Sequence, residues 1–128
     1  MSESKLLREI MLAAPDLGCR LLRNNVGVLR DIYGNYVRYG LGVGSSDCVG
    51  WTERTITRGM VGQKVAVFTA IETKRPGWNP PKSGKKLVEW EKQKNFLIAV
   101  KNAGGIAELA TDADDFRRAI TASPPYED

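Results

Sequence analysis

No histidine occurs anywhere in this 128-residue chain, and cysteine occurs only at Cys19 and Cys48. The first absence excludes Ser-His-Asp hydrolysis, Cys-His dyads and every metal site that needs an imidazole. The two cysteines have neither C-x-x-C spacing nor histidine partners, so no zinc pattern is present and both are expected to be reduced, semi-buried thiols of a cytoplasmic protein. No apolar run approaches the roughly 20 residues of a membrane span. No signal peptide or membrane anchor is visible. The glycines of Gly40–Gly44 lack the spacing of a dinucleotide or P-loop fingerprint, and no organic cofactor is expected. What remains for hydrolysis is carboxylates, lysine and metal-bound water.

The net charge of +4 hides an asymmetry. Residues 108–128 carry six acids and two arginines, so residues 1–107 hold 17 bases against 9 acids, a net of +8. A basic surface attracts polyanions, nucleic acid foremost. The length fits one domain, expected over residues 1–120, with a disordered tail at residues 121–128.

Leu6, Leu7, Ile10, Met11 and Ala14 recur at the spacing of one helical face, and Pro15 and Gly18 close that helix. Cys19 to Asn25 reads as a strand. Val28 to Tyr39 reads as a hairpin turning at Gly34-Asn35, a register that sets Asp31 opposite Arg38. A glycine-rich approach, Gly40 to Ser46, delivers Asp47 at the head of a short strand ending at Thr52. Lys64 to Lys74 predicts a longer strand, apolar on both faces until Glu72 and Lys74, as in a central strand covered on both sides. A loop rich in proline and glycine leads to a helix over 84–103, stopped by Gly104-Gly105. Ile106 to Ala110 predicts an edge strand. Thr111 and Asp114 predict the capping box of a last short helix.

Glu72 and Lys74 lie two apart on their strand and so share a face. Two readings stand: a neutralised pair at a strand end, or an acid and an ammonium in one site. Asp47 on an earlier strand favours the second, since two carboxylates and an ammonium suit a hard divalent cation and a phosphate. Gln93 interrupts the apolar stripe of Trp90, Leu97 and Val100. Its amide is either a margin of that stripe or the partner of a group in the site. Glu3 falls on the apolar face of the first helix and either points inward or is a favourable first-turn charge, whereas Glu9 lies toward solvent. Arg75, Trp78, Lys82, Lys85 and Lys86 mark the following loop as a nucleic-acid contact or as a solvated linker.

Five strings occur in order: Arg23-Asn24-Asn25-Val26-Gly27, Gly44-Ser45-Ser46-Asp47, Ile71-Glu72-Thr73-Lys74-Arg75-Pro76, Gln93-x-x-Phe96 and Ala103-Gly104-Gly105-Ile106-Ala107. Together they resemble the virus-type replication-repair nuclease (VRR-NUC) domain, a branch of the PD-(D/E)XK superfamily, in its short stand-alone phage form. The resemblance spans roughly residues 3–110. Two departures are Ser46, where the superfamily name has proline, and the long basic loop before Gln93.

The resemblance implies an α/β (α+β, restriction-endonuclease-like) fold, a central mixed sheet flanked by helices in an αβββαβ core. It implies a catalytic set of Asp47, Glu72, Lys74 and Gln93. Mg²⁺ or Mn²⁺ would be held by Asp47, Glu72, the backbone carbonyl of Thr73 and, as the first-helix acid, Glu3. Arg23 and Asn25 would join Arg75, Trp78, Lys82, Lys85 and Lys86 in holding DNA. The implied activity is structure-selective DNA endonuclease action on branched DNA such as Holliday junctions or flaps, by a homodimer in a bacterial host's cytoplasm, in replication, recombination or repair. A non-catalytic nucleic-acid-binding module and a restriction-type endonuclease are the alternatives. The former leaves the two carboxylates unexplained, and the latter needs a sequence-reading element for which the chain has little room.

Overall fold

The computed structural model describes residues 2–122. They form a mixed α+β structure of two compact units, one ending at Thr55 and the other beginning at Ile56. The described strands pair in three two-stranded sheets. Among the described residues, no helix is long and apolar enough to cross a membrane. Of the expected tail, Thr121 and Ala122 instead end a helix, and residues 123–128 lie outside the described residues.

In the first unit, helix α1 spans Glu3–Ala13. The Ser2 hydroxyl accepts from the Lys5 amide at 3.2 Å, capping a first turn that leaves its N–H groups without helical acceptors. Pro15 tightens the exit into a 3₁₀ turn over Ala14–Leu17, and Gly18 leaves it at φ 69°. Strand β1, Cys19–Arg23, runs antiparallel to β4, Cys48–Thr52, with Leu21 opposite Gly50. A Cβ on Gly50 would collide with the Arg20 carbonyl oxygen, so this close approach requires glycine.

Strands β2, Gly27–Arg30, and β3, Tyr36–Tyr39, form the expected hairpin in a different register. Arg38 stands opposite Val28, and Asp31 faces Asn35, whose carbonyl accepts from the Asp31 amide at 2.8 Å. The Asp31 carboxylate takes the amides of Tyr33 and Asn35, each at 2.9 Å, while Gly34 sits at φ 83°. An aspartate capping a three-residue loop with a left-handed glycine outcompetes the two-residue turn at Gly34-Asn35.

In the second unit, strand β5, Thr69–Thr73, pairs in parallel with β6, Ile106–Ala110, from Thr69 opposite Ile106 to Thr73 opposite Ala110. Helix α2, Gly84–Asn102, is the crossover between them, and helix α3, Ala113–Ala122, follows β6. The core lies along β6, where Ile106, Ala107 and Ala110 are buried together with Val100 of α2. Only the last part of the expected 64–74 strand pairs, and Val65 is exposed. The partner sets that limit: β6 begins only after Gly104 turns the chain at φ 94°, and Ile106 already donates to the Phe68 carbonyl at 2.9 Å. Residues before Phe68 therefore find no parallel neighbour on β6.

The cap of α3 differs by one residue from the sequence expectation. Asp112, not Thr111, takes the amide of the residue three along, Asp115, at 2.8 Å. Asp115, not Asp114, reaches back to the Thr111 amide at 2.9 Å, and Asp114 pairs with Arg117. The Thr111 amide, followed by the Thr111 hydroxyl and Arg118, holds the Asp115 carboxyl below the usual aspartate range. A carboxyl depressed on folding stabilises the fold above its unfolded pKa, and that stabilisation is lost as pH falls through the folded value. Asp115→Asn is therefore expected to lower Tm at pH 7, with the gap to the parent chain closing below about pH 4, as thermal unfolding across pH would report.

Candidate active site

The end of β5 is where charge enters the second unit. Strand alternation sets Glu72 and Lys74 on one face, and α2 supplies Gln93 against it. The Lys74 ammonium lies 3.4 Å from Glu72 Oε1 and donates to Gln93 Oε1 at 2.9 Å. The lysine and glutamate side chains keep 20% and 29% of their exposure, so the cluster is sheltered yet open to a ligand. Gln93 thus finds its partner in the lysine. Beside Glu72, an open hollow of ≈ 320 Å³ is lined by Ala70, Ile71, Lys92, Gln93, Phe96 and Leu97.

Backbone pairing fixes the same spot. The Lys74 amide donates to the Ala110 carbonyl at 2.9 Å, so the β5 ladder runs one residue past the strand and holds the lysine's Cα. Phe68 and Lys74 turn their bonding groups to β6, so in a parallel ladder Thr69, Ile71 and Thr73 turn theirs to the opposite edge. Among the described residues of this unit that edge has no strand, and the Thr73 carbonyl points along it.

Two indoles complete the surroundings of Lys74. Its ammonium lies 5.2 Å from the ring centre of Trp78 and 5.9 Å from that of Trp90, within cation–π range. The rings meet edge to face, with centroids 4.9 Å apart at 71°. Trp90 enters from α2, one turn before Gln93. Trp78 enters from the loop by a local device. Its amide donates to the Arg75 carbonyl at 3.1 Å, Pro76 follows Arg75, and Gly77 sits at φ 77°, the signature of a type II turn. The sequence reading placed Trp90 on the helix stripe and Trp78 in the DNA-contact loop, and missed their meeting. The Arg-Pro-Gly-Trp string is the signal that could have found it.

The other sequence-selected residues are exposed. Asp47 and Glu3 belong to the first unit and are exposed, Glu3 at the first position of α1 and Asp47 just before β4. Arg23, Asn25, Arg75, Lys82, Lys85 and Lys86 are exposed as well. What holds the segment bearing Asp47 is Asn24, whose role the sequence did not single out. The Asn24 side-chain amide donates to Ser45 Oγ and to the Ser46 carbonyl, each at 2.8 Å, and its Oδ1 accepts from the Leu41 amide at 3.1 Å. The Asn24 amide donates to the Asp47 carbonyl at 2.8 Å.

Among the described residues, no group of three or more Cys, Asp and Glu side chains forms a metal-binding cluster. The donor chemistry of the second unit nevertheless suits a hard cation. The Glu72 carboxylate meets Lys74 through Oε1, and the Thr73 carbonyl is unused by β6, so both offer oxygen to a ligand of the Mg²⁺ or Mn²⁺ type.

Asn24→Ala removes three side-chain hydrogen bonds to residues 41–46. It is expected to cost about 1–3 kcal/mol and to speed hydrogen exchange at the Leu41 amide, with exchange in β5 and β6 unchanged, as amide-resolved exchange would report. No family model, curated protein or solved structure matches the chain.

Proposed function

We propose that the protein is a Mg²⁺- or Mn²⁺-dependent DNA endonuclease that hydrolyses phosphodiester bonds, selecting branched structures such as Holliday junctions or flaps. The observation that carries this reading is the Lys74 ammonium set against both the Glu72 carboxylate and the Gln93 amide at the end of one strand. A partly exposed ammonium beside a carboxylate can meet an anionic phosphate, and the chain offers no imidazole to do the same work.

In this reading Glu72 and the Thr73 carbonyl hold the cation, with Asp47 and Glu3 assigned to it by sequence resemblance alone. When bound, the metal supplies charge neutralisation and activation of water. Lys74 positions the attacking water or meets charge growing on the phosphate oxygens. Gln93, by accepting from Lys74, fixes where that ammonium sits. Arg23, Asn25, Arg75, Lys82, Lys85 and Lys86 hold the DNA strands, a role their exposure permits. The restriction-endonuclease-like core and a homodimer making paired cuts across a branch belong to the same proposal.

The test is incubation of the parent chain, Glu72→Ala and Lys74→Ala with labelled four-way-junction, flap, single-stranded and linear duplex DNA in Mg²⁺, Mn²⁺ or EDTA. Metal-dependent cleavage by the parent chain alone is the expected result, with a preference for branched substrates. Lys74→Ala should lower the cleavage rate by about 10²-fold or more while DNA affinity, read by gel shift, changes little. Binding without cleavage in any metal would overturn the enzyme assignment in favour of a binding module.

A further inference from the structure

A lysine on a flexible stem needs more than one neighbour to fix its ammonium. Here four groups surround it: a carboxylate, an amide oxygen and two indole faces. Three of them, Glu72, Gln93 and Trp90, come from β5 and α2, which the parallel pairing already locks. The fourth, Trp78, comes from the loop, and it is the nearer of the two rings, 5.2 Å against 5.9 Å. We infer that Trp78 is a positioning residue for Lys74, and that the 75–78 turn sets the place of the ammonium through it.

The local chemistry makes this coupling stiff. Proline at the second position of the turn fixes φ, and glycine at the third supplies the left-handed φ of 77° that a side chain resists. Pro80 and Pro81 restrict the chain just beyond Trp78. The Trp78 ring cannot be rebuilt elsewhere without breaking the hydrogen bond from its amide to the Arg75 carbonyl or losing the contact with Trp90. A group that takes hold of this loop, such as a nucleic-acid strand on Arg75 or Lys82, therefore acts on the lysine as well.

The positioning itself is independent of the nuclease reading. Its catalytic consequence rests on it. The experiment has two arms on the full-length chain. In the first, lysine side chains are labelled with ¹³C at Cε, and the Lys74 signal is assigned by its loss in Lys74→Met. Over two indole faces this methylene is expected upfield of the other lysines. Trp78→Leu should return it most of the way, Gly77→Ala should return it in part by straining the turn, and Trp78→Phe should keep it displaced. Amide spectra of each variant check that β5, β6 and α2 stay folded, and Gly77→Ala tests the turn without removing either ring.

In the second arm, cleavage of the preferred branched DNA is measured. Trp78→Leu and Gly77→Ala should lower kcat about ten- to a hundredfold with little change in KM, because an ammonium displaced by about 1 Å loses its alignment. Trp78→Phe should restore most of the rate. A Lys74 signal that lies among the other lysines, or that ignores both Trp78→Leu and Gly77→Ala, overturns the inference. So does a rise in KM with kcat intact, which would make Trp78 a DNA contact alone. Absence of cleavage by the parent chain would overturn the nuclease reading, while the spectra would still decide the positioning.

Discussion

The arrangement of the second unit follows from one constraint, the parallel pairing of β5 with β6. Parallel neighbours cannot be joined by a tight turn, so a long connection must pass over the sheet face, and here it is α2. That crossover lays the helix face bearing Trp90, Gln93, Leu97 and Val100 along the two strands. Val100 is fully buried with Ile106, Ala107 and Ala110, which anchors the far end of the helix. With that end fixed, Trp90 and Gln93 fall at the end of β5, where Glu72 and Lys74 emerge. Gly105 allows the return: a Cβ there would come within 2.7 Å of both the Phe68 carbonyl and the Val100 side chain.

Electrostatics then decides what the end of β5 can do. A half-sheltered lysine loses part of its hydration and is costly unless other groups replace it. The carboxylate, the amide oxygen and the two indoles replace that water with fixed partners. None of these groups is fully buried, so the cluster is neither a sealed internal ion pair nor a loose surface one. The charge there is preorganised and still accessible to a ligand.

In the first unit the same problem of holding an acid in place is met by backbone and amide contacts. Gly40, Gly42 and Gly44 all adopt positive φ, which lets the chain between β3 and β4 turn repeatedly. Such a segment has little intrinsic order. Asn24, at the end of β1, supplies that order by holding Leu41, Ser45, Ser46 and Asp47 at once. The Ser46 hydroxyl adds a bond to the Cys48 carbonyl at 2.8 Å. That bond spans Asp47 and ties the chain on either side of the acid.

The stripe of α2, the Pro15 and Gly18 exit after α1, the glycines after α2 and the strand end bearing Glu72 and Lys74 were legible in the sequence because each depends on residues close in the chain, whereas Leu6 and Ile10 of the expected apolar face of α1 are exposed. The 3.6-residue spacing placed Gln93 on the inward stripe of α2, and its need for a partner was legible with it. Three features were decided elsewhere. The length of β5 depended on where β6 begins, the hairpin register on whether Asp31 or Gly34-Asn35 wins the turn, and the cap of α3 on a one-residue choice among Thr111 and the acids after it. At the α3 cap, Thr and Asp are both favoured residues, so local preference alone separates them little. The sequence by itself determined which residues carry charge, which faces are apolar and where the chain must turn. Only the tertiary structure decided that Gln93, Trp90 and Trp78 converge on Lys74, because a parallel crossover and a type II turn bring together residues that no periodicity links.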